Sequence, residues 1–212
     1  ADNKQETQES KRKAPVRSVF LFPAYPFGTA LEIAERVERD GAGSLSENTL
    51  AMALGMSAKG SSFRLRHLTS RQFGLLTRQG ETLSTTQRAK AIFKSVSPEE
   101  TRQAKLAAFL EIPLFKVVAE RFKGTPLPES NTFRNILERE FKVAHARVRD
   151  AERVLMDSAR DAGILTTSGS NTYLNVEGSV PAASMPDSPP SASPPAPPPL
   201  EEPSIRLTQG QI

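Results

Sequence analysis

Hydrophobic positions in this chain recur with the three- and four-residue spacing of amphipathic helices, and short alternating segments separate some of them. Residues suited to helix ends mark the boundaries, with Ser46 and Thr86 before a helix and Gly41 and Gly74 after one. In the first part of the chain, the pattern predicts helices over residues 29–41, 47–54, 61–74 and 86–94, with a two-stranded hairpin over 75–84.

The order of three helices followed by a hairpin occurs again in the later part of the chain, after one additional helix. Ser97, Pro98 and Glu100 provide the N-cap, the first-turn proline and the capping-box glutamate of a helix. The pattern there predicts helices over residues 97–110, 113–124, 130–141 and 144–162, followed by a hairpin over 163–176.

Three short phrases also recur in the same order in both parts, which is the sequence mark of a duplicated unit. The phrases are Ala34-Glu35-Arg36 with Ala119-Glu120-Arg121, Asn48-Thr49-Leu50 with Asn131-Thr132-Phe133, and Gly74-Leu75-Leu76-Thr77 with Gly163-Ile164-Leu165-Thr166.

These elements predict a mainly α-helical protein with small β-hairpins, an α+β fold. We expect a disordered polar arm over residues 1–13, a first folded unit over 14–94 and a second over 95–178. A Pro/Ser-rich disordered tail with a terminal peptide is expected over 179–212, because most of the 17 prolines fall there.

The start and the exit of the third predicted helix, Ser61-Ser62-Phe63-Arg64 and Phe73-Gly74-Leu75-Leu76, resemble the winged helix-turn-helix family. A weaker counterpart in the second unit is Ala162-Gly163-Ile164-Leu165. The chain is similar in this respect to tandem winged-helix proteins of prokaryotic regulatory and defence contexts. The resemblance implies two winged-helix units, each with a third helix that enters the DNA major groove and a hairpin that touches the neighbouring backbone. Some members of that family bind only protein, so the resemblance does not decide the function.

Positive charge is concentrated in the first unit. The whole chain has a formal net charge of +4, but residues 14–94 contain 11 basic and 6 acidic residues. Residues 95–178 contain 12 of each, and the tail from 179 onward has more acidic than basic residues. A nucleic-acid partner is therefore expected at the first unit.

The third predicted helix carries the main candidate site. At about 100° per residue, Arg64, His67 and Arg71 share one side, with Arg66 and Ser70 beside them. No acidic residue lies between 48 and 79, so no local charge neutralises this side. The opposite side consists of Leu65, Leu68, Thr69, Gln72 and Phe73.

The planar guanidinium of arginine donates paired hydrogen bonds to a phosphate or to the major-groove edge of guanine. The N-terminus of the helix adds backbone N–H donors for a phosphate. The alternative is a solvated cationic face that keeps the protein soluble. The predicted DNA-binding residues are Lys59, Ser61, Ser62, Arg64, Arg66, His67, Arg71, Arg78, Arg88 and Lys90.

The equivalent helix of the second unit mixes both charges, because its arginines alternate with acidic residues at spacings that allow pairing within the helix. Packing or dimerisation is its main predicted role. Lys142, Arg147 and Arg149 are a secondary set of DNA-binding candidates.

Enzymatic and membrane functions find little support in the sequence. The chain has two histidines and no cysteine, so no metal or cofactor is expected and no catalytic residue is assigned. No apolar stretch reaches the length of a membrane span or of a signal peptide, so we expect a cytoplasmic protein, associated with the nucleoid if it binds DNA.

Two functions fit the sequence. The first is a non-enzymatic DNA-binding protein of regulatory or accessory type, such as a transcription regulator, that contacts double-stranded DNA through the first unit. The alternative is a protein-interaction adaptor that uses winged-helix scaffolds and the Pro-rich tail. A homodimer or a protein partner at the second unit or the tail is compatible with both.

Overall fold

The computed structural model describes residues 18–176, which form eight α-helices and two small antiparallel sheets. The expected mainly helical α+β class is confirmed for these residues, whereas the predicted disordered arm and Pro-rich tail lie outside them. The elements of the first part are α1 (Phe27–Gly41), β1 (Ser44–Ser46), α2 (Glu47–Ala53), α3 (Ser61–Gln72), β2 (Leu76–Gln79), β3 (Thr82–Thr85) and α4 (Gln87–Phe93).

The later elements are α5 (Pro98–Leu110), α6 (Pro113–Arg121), α7 (Ser130–Arg139), a 3₁₀ turn (His145–Arg147), α8 (Val148–Asp161), β4 (Leu165–Ser168) and β5 (Asn171–Leu174). Side chains cap three of the predicted helix starts. Ser46 Oγ accepts from the Thr49 amide at 3.1 Å, Thr86 Oγ1 from Ala89 at 3.3 Å, and Ser97 Oγ from Glu100 at 3.4 Å. Each cap satisfies an amide that would otherwise lack a partner at the helix start.

The first sheet has the strand order β1-β3-β2, in which β2 and β3 form the predicted hairpin. Strand β1 pairs antiparallel with β3, and Leu45 lies opposite Leu83. This strand was not predicted, because three residues with a single apolar side chain give no alternating pattern. Its role is to tie the start of α2 to the hairpin.

The second sheet is the predicted hairpin β4-β5, with Leu165 opposite Leu174. An isolated bridge between Leu127 and Thr172 joins the segment before α7 to β5. That bridge has the chain position that β1 has in the first part. Apart from α4, which follows the first hairpin, and α5, which precedes α6, both parts therefore run in the order helix, short pairing segment, helix, helix and hairpin.

One cluster of buried side chains contains residues from both parts of the chain. The Phe73 ring at the end of α3 lies 5.0 Å from Phe27 and 6.1 Å from Phe115, and Phe115 stacks on Phe109 at 4.9 Å. Aromatic contacts at these distances contribute packing beyond their buried area. The two parts thus share a core.

The start of α1 is capped by the end of α8. The Gly28 amide donates to Asp161 Oδ2 at 2.7 Å, and the Phe27 amide donates to Ser158 Oγ at 3.0 Å. A Cβ at Gly28 would lie 2.7 Å from the same carboxylate oxygen, so a larger residue at this position would displace the carboxylate. The sequence predicted that Asp161 pairs within its own helix; instead it holds α1.

Candidate nucleic-acid interface

Helix α3 faces the core with a different side from the one its sequence predicted. Phe63, His67, Ser70 and Phe73 are buried, whereas Leu65 and Leu68 are exposed to 42% and 39%. The sequence analysis was therefore wrong in placing the two leucines on the inner side of α3. It was also wrong in placing His67 and Ser70 on the outer side. Tertiary contacts fix the rotation, because the Ser70 hydroxyl donates to the buried Ala30 carbonyl of α1 at 2.9 Å.

His67 is 6% exposed, so its predicted contact with DNA is wrong for this structure. Its ring lies 5.2 Å from the Phe63 ring, and its Nδ1 has no hydrogen-bond partner among the described residues. Burial is the main cause that lowers the pKa of His67 below its ordinary value of 6.5. The imidazole is therefore a neutral part of the α3 packing.

Three arginines surround this histidine. Arg64, Arg71 and Arg78 each lower the pKa of His67 electrostatically, after burial and against the opposing effect of Glu47. Arg64 and Arg71 project from α3, and Arg78 lies on β2 of the hairpin. We call these three residues the basic cluster, because each lies close enough to His67 to lower its pKa.

The members of the basic cluster differ in whether an acidic side chain pairs with them. Arg64 and Arg71 are exposed, and neither has an ion pair within residues 18–176. Arg78 Nε pairs with Glu47 Oε1, a carboxylate from the start of α2 that lies just outside the acid-free stretch. Arg78 therefore has a partner that lies 31 positions earlier in the sequence, whereas the two arginines of α3 have none among the described residues.

The start of α3 presents backbone donors to solvent. Gly60 occupies the N-cap position and no side chain caps the helix. Ser61, Ser62 and the preceding Lys59 are exposed, as predicted. Uncapped amides, a positive helix dipole and a lysine together favour an anion such as phosphate.

Arg66 does not extend freely from α3. Its guanidinium lies 4.9 Å above the Tyr25 ring, and its Nε is buried without a hydrogen-bond partner in the part of the chain that the structure describes. The Tyr25 hydroxyl lies 3.3 Å from Ser62 Oγ. Arg66 therefore helps to hold the segment before α1 against α3, so its guanidinium is engaged by Tyr25 in this conformation.

Arg88 is a structural residue. Its Nη1 donates to the Phe73 carbonyl at 3.0 Å, and its Nη2 lies 2.9 Å from Glu111 Oε2 of the second part. Gly74, with φ +68°, allows this approach, because a Cβ there would lie 2.0 Å from Nη1. Arg88 is therefore engaged within the fold through both of its Nη atoms, and its predicted DNA contact would have to compete with these two contacts. Lys90 is exposed on α4 and lies close enough to lower the pKa of Glu38.

The secondary candidates lie around the start of α8. Arg147 stacks on Phe22 at 4.8 Å and lines the same recess as Leu65 and Leu68 of α3. Its Nε also lies 3.5 Å from Asp150. The sequence placed Arg147 in a separate unit, but the fold brings it to the edge of the α3 surface.

The other two secondary candidates are exposed. Lys142 has a left-handed backbone with φ +53°, and its carbonyl accepts from Val19 at 3.3 Å. Arg149 has no ion pair within residues 18–176, whereas Arg153 and Arg160 pair with acids on α8. The predicted pairing within this helix is thus confirmed for some of its arginines.

Sequence reasoning missed the apolar part of this surface. Leu65, Leu68, Phe22 and Ala24 form the walls of a recess of about 160 Å³ between α3 and the segment that precedes α1. The two leucines were assigned to the core on hydrophobicity alone. No signal within α3 could have corrected this, because the rotation depends on the contact of Ser70 with Ala30, which lies 40 residues away in the sequence.

Among the described residues, no group of His, Asp or Glu side chains has the arrangement of a metal site, and no helix is long and apolar enough to cross a membrane. The chain matches no protein-family model, no curated protein and no solved structure at a significant level.

Proposed function

We propose that this chain is a non-enzymatic DNA-binding protein of regulatory or accessory type, built from two winged-helix units. The element order supports the architecture, because each part has a helix, a short pairing segment, two helices and a hairpin. In the first part the pairing segment joins the hairpin as a third strand, in the order β1-β3-β2. In this arrangement α3 is the recognition helix and the β2-β3 hairpin is the wing.

The observation that carries the proposal is the basic cluster. Arg64 and Arg71 lie on the outer side of a helix whose start offers uncapped amides, and Arg78 extends the positive surface onto the hairpin. A helix of this kind fits the width of the major groove, and its arginines can reach phosphates or guanine edges. Arg147 and Arg149 would add lesser contacts from the second part.

One observation favours the adaptor function as a second candidate. Val19 and Leu21, in the segment before α1, are 68% and 74% exposed. Exposed apolar side chains close to one another are typical of a protein-binding surface. These two residues lie outside the basic cluster, so the two functions can be separated by mutation.

A paired set of variants tests the DNA-binding function. Arg64→Ala with Arg71→Ala removes the two free cations of the basic cluster and should weaken duplex binding at least tenfold, because charge-assisted contacts to phosphates or bases are lost. The measurement is a gel-shift titration of the full chain with a 30-base-pair duplex at low salt.

The matched control is Lys116→Ala with Arg139→Ala. It removes the same formal charge from exposed positions of the second part that have no ion pair among the described residues. This control should bind within about twofold of the unmodified chain, because charges away from the interface contribute little. Equal binding by all three proteins would overturn the assignment to α3.

A further inference from the structure

We infer that Leu65 and Leu68 are base-reading residues that contact the C5-methyl groups of thymine in the major groove. This inference rests on the proposed DNA-binding function and adds the chemical class of base that α3 selects. The juxtaposition that carries it is a pair of exposed leucines between the free arginines of α3.

The burial pattern of α3 is inverted with respect to hydrophobicity. His67, Thr69 and Ser70 face the interior at 6%, 0% and 0% exposure, whereas Leu65 and Leu68 face solvent at about 40%. Exchanging these positions would place more apolar surface in the core and more polar surface in water. The exposed leucines of α3 therefore contribute less to the stability of the fold than buried leucines would. Departures of this kind from the usual burial pattern are expected at surfaces that contact a partner.

Leu68 lies on one stripe with the two free arginines, and Leu65 lies about 100° around the helix from Arg64, so the leucines are not on the side opposite the arginines as the sequence analysis assigned them. Arg64, Leu68 and Arg71 are spaced by four and three residues, so they follow one another along the same side of the helix. At about 1.5 Å per residue, Arg64 and Arg71 are separated by about 10 Å along the axis. That distance corresponds to about three base-pair steps, so Leu68 would lie over a base between two arginine contacts.

Thymine is the base that fits this position. In the major groove the C5-methyl of thymine is the apolar feature that a side chain can contact, whereas guanine offers two acceptors to arginine. Leu65 adds apolar surface one turn before Leu68, towards the recess lined by Phe22 and Ala24. The flanking cations favour a nucleic acid over an apolar protein surface as the partner, because burying unpaired arginines against a protein costs free energy.

The test removes the apolar groups of each partner in turn: the C5-methyl groups of thymine in the DNA and the leucine side chains in the protein. The full-length chain first enriches a duplex from a randomised 30-base-pair pool, and that duplex is then synthesised with thymine or with uracil at every T position. Loss of each contacted methyl should weaken binding by about fourfold, from the transfer free energy of one methyl group. The double variant Leu65→Ala with Leu68→Ala should bind the two duplexes equally.

The control is Val96→Ala, which removes a fully exposed apolar side chain from the linker between α4 and α5. It should keep the thymine-to-uracil ratio of the unmodified chain. Duplex binding that is insensitive to the methyl groups, or an unchanged ratio in the leucine double variant, overturns the inference while leaving the proposed function intact. Absence of any duplex binding overturns both. A leucine variant that changes only the sedimentation of the chain assigns the leucines to a protein contact and also overturns the inference.

Discussion

At the scale of single residues, charge in the interface is decided by partners that are distant in sequence. Glu47 lies at the start of α2, yet it pairs with Arg78 of the hairpin and opposes the effect of the arginines on His67. Its side chain is 16% exposed, so solvent screens it only in part. Glu47 therefore limits the positive potential of the basic cluster.

Glu47→Gln should strengthen duplex binding several-fold at low salt. The change removes an anion that repels phosphates and frees Arg78 for a contact of its own. The salt slope of binding should also increase by about one phosphate equivalent. Fluorescence anisotropy of a labelled duplex at several salt concentrations measures both quantities. Glu120→Gln, at an exposed position of the second part, is the charge-matched control; a Glu47→Gln variant that behaves like it would show that Arg78 takes no part in binding.

His67 should make the fold less stable in mild acid. Because burial lowers its pKa in the folded state below the ordinary value of 6.5, the unfolded chain binds the proton more readily. The free energy of unfolding should then be highest above pH 6.5 and fall as the pH drops below it. Urea denaturation between pH 7.5 and 5.5 measures this fall.

His67→Gln removes the titrating group and should flatten that pH dependence. His145→Gln is the natural comparison, because His145 is exposed and is the other histidine of the chain. An unchanged fall in the His67 variant would mean that another group is responsible.

At the scale of elements, the sequence predicted where helices and hairpins lie better than how they are rotated. The helix starts could be predicted from their N-cap residues Ser46, Thr86 and Ser97, because each cap bonds to an amide only three positions away. The rotation of α3 depends on Ser70 meeting the Ala30 carbonyl, a contact between residues 40 positions apart. Hydrophobicity within α3 could not reveal it, so the leucines were placed inside and His67 outside.

The same limit applied to the candidate site. The basic cluster followed from composition and helical spacing, and the structure keeps Arg64 and Arg71 exposed. Arg66 and Arg88 have the same residue type but are engaged by Tyr25 and Glu111, and no local pattern indicated these contacts. Long-range partners therefore separate the exposed arginines of the proposed interface from the arginines that are engaged within the fold.

Asp161→Ala should lower the free energy of unfolding by about 1–2 kcal/mol, because the Gly28 amide loses its acceptor and the start of α1 loses a negative charge. Chemical denaturation of the full chain measures the change. Asp157→Ala is the comparison, since Asp157 pairs with Arg160 on the surface of α8 and should cost less than about 0.5 kcal/mol. Equal effects of the two variants would contradict the capping role of Asp161.

At the scale of the whole molecule, the two parts of the chain have different charge but a common core. Phe73 contacts Phe115, Arg88 contacts Glu111, and α8 caps α1, so the surface of α3 is supported from both parts. The excess of basic residues lies in the first part, while the second part is neutral. Under the proposed function, the second part would act mainly as a support for a recognition surface whose charge comes from the first.

The salt dependence of duplex binding by the full chain tests DNA recognition by α3 most directly. Each neutralised phosphate contributes a slope of about −0.9 to the logarithm of the binding constant against the logarithm of salt. The unmodified chain should bind a duplex at 50 mM salt with a steep negative slope, and the Arg64→Ala/Arg71→Ala variant should lose about one to two phosphate equivalents of that slope. No binding at 50 mM salt, or an identical slope in the variant, would contradict recognition of DNA by this helix.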